Sequence, residues 1–226
     1  MSISAVFLFG SLAREDHIRG SDTDILLVGD DGEPRHLSAG HLSMFYYPWE
    51  KLADDARRGD LFLCHIVREA KALFDPEFRL QQLRSAFELR ANYRIEIKQA
   101  TDLGWFLLRY GSNINSTLLV KRMIWCVRTI LIARSTEAGE PVFAPLTLAQ
   151  RSRSGAAKEL LLDRHARRTD AAMRHRFHSF LLSDTDPDGF YDSATREEFL
   201  ERFTDSLNKV ALQTVRQTES GNPDYV

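Results

Sequence analysis

Asp22 and Asp24 flank a single threonine at the head of a short apolar run, Asp24-Ile-Leu-Leu-Val28. In a strand, residues i and i+2 point to the same face. The two carboxylates are therefore expected to stand together, poorly placed for a hydrophobic core and well placed to share a divalent cation. Hard cations such as Mg²⁺ take oxygen ligands and commonly bind through one or two carboxylates plus substrate phosphates. Ten residues separate Asp22 from an earlier pair, Gly10-Ser11, which ends another apolar run and opens a helical stretch. Backbone N–H groups and a hydroxyl at such a turn suit a phosphate. Together the two features predict a grip on a nucleoside triphosphate (NTP), by its phosphates and by Mg²⁺ or Mn²⁺.

These residues need elements to hold them. Residues 3–9 predict a buried strand ended by Gly10, and "SLAREDHI" a short helix broken by Gly20-Ser21. Residues 24–28 predict a second strand, "GDDGEP" a hairpin-type turn, and "LSMFYYP" a third strand closed by Pro48. Two short helices split by Gly59 follow, then a last strand in "KALFD". After Phe78 the pattern changes. Tyr93, Ile97, Ala100, Leu103, Leu107 and Tyr110 recur at helical spacing. "STLLVKRMIWCVRTILIAR" predicts a central helix, apolar round most of its circumference. Loops are expected at "EAGEPVFAP" and "DPDGFYDS". Thr195 and Glu198 predict a capping box on one final helix, with Phe199, Phe203, Leu207 and Val210 inward. The expected organisation is α+β: a mixed α/β domain over 1–80, then a helical bundle over 81–226.

The spacing Gly10-Ser11, ten residues, Asp22-Thr-Asp24 resembles the minimal bacterial signature of the polymerase-β-like nucleotidyltransferases. Ala13-Arg14 and "SDTDILL" belong to the same pattern, and "GDLFLCHIVREAKALFDP" looks like the elements that close such a domain. The resemblance implies a small mixed sheet with helices followed by a helical bundle. It also implies that Gly10 and Ser11 grip the triphosphate and that Asp22 and Asp24 ligate Mg²⁺ or Mn²⁺ as the catalytic pair. Arg14 either reaches a phosphate or pairs with a nearby acid such as Glu15 or Asp16. The implied reaction moves a nucleoside monophosphate from NTP to a hydroxyl, with release of pyrophosphate. The implied acceptors are an RNA (tRNA) end, a protein side chain within a toxin–antitoxin or defence system with a cognate protein partner, or an aminoglycoside-type antibiotic.

One position departs from the pattern. The family usually places a third carboxylate on the following strand, and the residue aligned with it here is Ser43. No Asp or Glu lies between Pro34 and Trp49. The alternative expectation is therefore a catalytically weak or inactive nucleotide-binding regulatory subunit.

Composition narrows the rest. Of 226 residues, 43% are hydrophobic and 27% charged, as in an ordinary globular protein. The net charge of -2 hides an asymmetry. Between Arg151 and His178 eight Arg/Lys face three acids, so this segment is +5 and the remainder -7. A basic segment attracts phosphate backbones, which tilts the acceptor toward RNA or protein and away from a cationic drug; otherwise it is a solvated face. Cys64 and Cys126 sit in apolar surroundings and read as buried reduced thiols. His165, His175 and His178 read as surface histidines. No run approaches the roughly 20 apolar residues of a membrane span. A cytoplasmic protein without membrane partners is expected.

Overall fold

Strict alternation in β1 (Ile3–Phe9) buries Ala5, Phe7 and Phe9 on one face and half-buries Ser4, Val6 and Leu8 on the other. The positive-φ Gly10 then ends the strand and begins α1 (Gly10–Arg14), a single short turn closed by Glu15 in the left-handed region. β2 (Thr23–Gly29) repeats the alternation, with Leu26 and Val28 fully buried. The described residues are 2–18, 20–166 and 168–219 of a computed structural model, so Arg167 of the basic segment lies outside them.

"GDDGEP" does not join a hairpin. It leads into β3 (Arg35–Ala39), an edge strand exposed along its whole length, which turns back into β4 (Leu42–Pro48). β4 then pairs with β2 in parallel, and the sheet order is β3-β4-β2-β1-β5. β3 escaped the pattern reading because an edge strand with no buried face carries no apolar alternation. α2 (Trp49–Arg57) and α3 (Leu61–Glu69) follow, divided at Gly59 as expected. Asp60 caps α3 by accepting from the Phe62 and Leu63 N–H groups. β5 (Lys71–Phe74) pairs antiparallel with β1. α4 (Arg79–Ala86) sends Leu80 and Leu83 into the same core as Phe7, Leu26, Leu52, Leu63 and Ile66. Each such buried Leu, Ile or Phe contributes roughly 1.5–3 kcal/mol.

By its contacts the chain divides into two compact units between Asn92 and Tyr93. The second is all-helical. α5 (Arg94–Tyr110) and α6 (Ser116–Glu137) form its centre. Ala100, Leu103 and Leu107 are buried on α5, and Met123, Cys126, Val127 and Ile130 on α6. α7 (Pro145–Arg151) ends where the basic segment begins, and that segment supplies α8 (Gly155–Leu162) and most of α9 (Ala171–Asp184). A short α10 (Phe190–Ser193) lies where a loop was expected. The Thr195–Glu198 capping box forms in full.

The final helix, however, is two: α11 (Arg196–Asp205) and α12 (Lys209–Glu219). Phe199 and Phe203 are buried as expected, but Leu207 is 75% exposed and left-handed at φ 52. Asn208 causes the break. Its side chain accepts from the Ala211 N–H and donates to the Gln99 carbonyl, so it caps a new helix.

A charged group sits inside this unit. Asp102 on α5 is 0% exposed. Its Oδ1 accepts from the Tyr191 hydroxyl at 2.6 Å and lies 2.9 Å from Arg202 Nε. The Arg202 Nε–H is close enough for an ion pair but not aligned for a hydrogen bond, and Asp102 Oδ2 has no hydrogen-bond partner among the described residues. Arg202 also lies over the Phe190 ring, 4.3 Å from its centroid. Burial, together with the Asp102 contact, pushes the Tyr191 hydroxyl well above the usual tyrosine range.

Candidate active site

β2 lies between β1 and β4, and the two registers define the site. Asp24 pairs with Phe9 in the antiparallel ladder and with Ser43 in the parallel one. Paired residues share a face, so Asp24 continues the row of Leu26 and Val28. Those two are fully buried, whereas Asp24 is half-buried where the row turns polar.

Directly after Phe9, Gly10 adopts φ +73, and a Cβ built there would overlap Asp24 Oδ2. Glycine is required twice over, for the left-handed turn and for the close approach of the carboxylate. Gly10→Ala is expected to cost roughly 1–3 kcal/mol and to displace Asp24. Gly20→Ala is the matched control, because Gly20 is also at positive φ (+89) but has open space around it. Urea denaturation of both should show the larger loss at Gly10. Equal losses would mean that backbone strain acts alone and that Asp24 yields freely.

Ser11 follows in α1, half-buried, its carbonyl accepting from the Asp16 N–H at 3.1 Å. Asp22 stands one residue before β2, anchored by the adjacent Thr23 N–H, which donates to the His41 carbonyl at 2.7 Å. Its side chain is 60% exposed, and Oδ1 is 3.2 Å from His41 Nδ1. The strand that was to carry both aspartates thus begins at Thr23, with Asp22 at its mouth. Arg14 leans toward α3: it pairs with Glu69 at 2.5 Å and Asp16 at 3.2 Å, and His65 completes the cluster at 2.7 Å from Glu69.

Two carboxylates are oxygen donors of the kind a hard cation takes when phosphates and water complete its shell. Among the described residues no group of three or more His, Cys, Asp or Glu is gathered for a metal. The protein's own donor set stays below three because Ser43 occupies the place beside Asp24. Ser43 Oγ is 3.1 Å from His36 Nε2, and Ser38 Oγ is 3.3 Å from the same atom. The His36 ring stacks on Phe45 at 4.2 Å and 19°. Cα pairing of His36 with Phe45 and of Ser38 with Ser43 puts all four on the face that carries Asp24.

The pattern reading missed His36 and His41. A signal was present: "HLS-AG-HLS" repeats a tripeptide around Gly40, whose positive φ (+60) suits the first position of a two-residue hairpin turn.

Much of the basic segment is committed elsewhere. Arg176 pairs with Glu159 and Asp163, Arg151 with Glu140, and Arg174 donates to the Leu108 carbonyl. Arg153, Lys158 and Arg168 have no acidic partner among the described residues. His178 is packed edge-on against Trp105. Both cysteines are free and buried; burial pushes the Cys64 thiol up to about 11 and Cys126 higher still, so neither is a nucleophile at neutral pH. No described helix is long and apolar enough to cross a membrane.

Residues 2–104 match the family model of the nucleotidyltransferase domain. No curated protein matches the chain. Among solved structures, the chain is similar to a nucleotidyltransferase-like protein from Exiguobacterium sibiricum at 14% identity and a TM-score of 0.33, over 95% of this chain and 74% of that one.

Proposed function

We propose that the chain, whose residues 2–104 match the family model of the nucleotidyltransferase domain, moves a nucleoside monophosphate from NTP to a hydroxyl and releases pyrophosphate. The observation that carries this reading is the seating of the Asp24 carboxylate against the bare Cα of Gly10. That contact joins the acidic strand to the turn meant for phosphate.

In this reading Gly10 and Ser11 hold the triphosphate through backbone N–H groups and the Ser11 hydroxyl. Asp22 and Asp24 hold Mg²⁺ or Mn²⁺. When bound, the cation neutralises triphosphate charge and lowers the pKa of the acceptor hydroxyl. Arg14, one helical turn beyond Ser11, answers the phosphates by exchanging Asp16 for them. The acceptor we favour is an RNA end, because Arg153, Lys158 and Arg168 remain uncommitted and a polyanion would gather them. A protein hydroxyl, in a toxin–antitoxin or defence pair with a cognate partner, is the other acceptor the chemistry serves.

Ser43 favours a second reading, in which the domain binds NTP as a regulatory subunit and does not turn it over. Incubation with each α-labelled NTP, Mg²⁺ or Mn²⁺, and total cellular RNA and protein separates these readings. Label in RNA is the expected result, and label in protein reassigns the acceptor. Label in neither, with metal-dependent NTP binding intact, supports the regulatory subunit.

A further inference from the structure

Ser43 need not be an empty place. A serine hydroxyl is a poor base by itself, but one hydrogen-bonded to an imidazole can pass a proton on, as in the activated nucleophiles of covalent catalysis. Ser43 Oγ and His36 Nε2 are 3.1 Å apart. The pair sits in register with Asp24, on the same sheet face. The ring is held by stacking on Phe45, and Ser38 Oγ lies near the same Nε2 at 3.3 Å, farther than Ser43 Oγ at 3.1 Å, so Ser43 is the nearer of the two hydroxyls competing for that lone pair. Both histidine and serine come from one tight hairpin, so their spacing is set locally.

We propose that Ser43 and His36 form a proton relay that stands in for the family's third carboxylate, deepening the transfer reading given above and resting on it. The acceptor O–H donates to Ser43 Oγ while the Ser43 hydroxyl donates to His36 Nε2. The acceptor oxygen forms its bond to the α-phosphorus as the bond from that phosphorus to the pyrophosphate oxygen breaks. Pyrophosphate leaves, the proton rests on His36, and His36 then returns it to water. The relay needs the neutral tautomer with its proton on Nδ1 and the lone pair on Nε2.

Two measurements on the full chain test it. The first is transfer from α-labelled NTP to total RNA and protein with Mg²⁺, beside NTP affinity. His36→Ala and Ser43→Ala are each expected to lower transfer by about 10²–10⁴-fold with NTP affinity unchanged. Ser43→Asp, placed in the His36→Ala background, is expected to restore most of that loss, because a carboxylate there accepts the proton without a histidine behind it. A purely structural histidine would not be rescued this way. The second is ¹⁵N NMR of the imidazoles, expected to show His36 Nε2 unprotonated and shifted by Ser43→Ala. Full activity in His36→Ala, no rescue by Ser43→Asp, or a protonated Nε2 in the neutral ring overturns the relay alone. A wild type that transfers to nothing overturns the transfer reading and the relay with it.

Discussion

Asp22→Asn combined with Asp24→Asn abolishes metal-dependent NTP use and leaves the fold standing. The carboxamide keeps each side chain's shape but removes the charge that a hard cation needs. Losing one preorganised electrostatic stabiliser typically costs about 10²–10³-fold in rate, and the double change removes two. Mg²⁺ should also cease to tighten NTP binding, a readout that does not depend on turnover. Stability should barely move. Asp22 is mostly exposed and its contact is with an exposed His41, and surface pairs of this sort are worth about 0–1 kcal/mol. The melting temperature is therefore expected within about 4 °C of wild type. A larger drop would show that the aspartates hold the sheet together, and unchanged metal-dependent binding would end the proposed site.

Asp102→Ala has the opposite signature: large in stability, nil in chemistry. It strips the buried carboxylate from the Tyr191 hydroxyl and from Arg202, whose side chain is 18% exposed and which keeps only the half-exposed Asp188 at 3.3 Å. Removing one member of a buried ion pair costs about 3–5 kcal/mol, and the lower end is expected here because Asp188 still answers part of the Arg202 charge. For a chain of this size that is roughly a 10 °C fall in melting temperature. Asp102→Leu with Arg202→Met should recover most of it, because well-packed apolar residues replace a buried pair at little cost. Calorimetry of the single and double variants decides the matter. Additive losses in the double would show that the two residues do not act as a pair. Metal-dependent NTP binding, read at a temperature where both variants are folded, should match wild type.

Several features followed from sequence alone because their causes are local. β1 and β2 were legible from period-two alternation, α5 and α6 from period-three-and-four spacing. The capping box needs only a threonine and a glutamate three apart, and it formed as read. Gly10-Ser11 and Asp22-Thr-Asp24 stood out in the sequence as a tight turn and a carboxylate pair, and the structure seats Asp24 against Gly10; phosphate and metal roles for them belong to the proposed function. Where the sequence reading failed, a distant partner had overruled the local pattern. Leu207 fits an apolar stripe, yet the Asn208 cap, tied to Gln99 more than a hundred residues away, breaks the helix and leaves it in water. Asp102 reads as an ordinary polar position on α5 until Tyr191 and Arg202 close over it. Strand order is the deepest case. Nothing in the run of residues 29–48 says that β4 inserts between β3 and β2, antiparallel to one and parallel to the other, because strand order depends on pairing across the whole sheet. The pairing brings Ser43 to Asp24, and the β3–β4 hairpin then brings His36 to Ser43. The glycine turn and the two aspartates are written in the sequence; tertiary pairing alone chose what stands beside them.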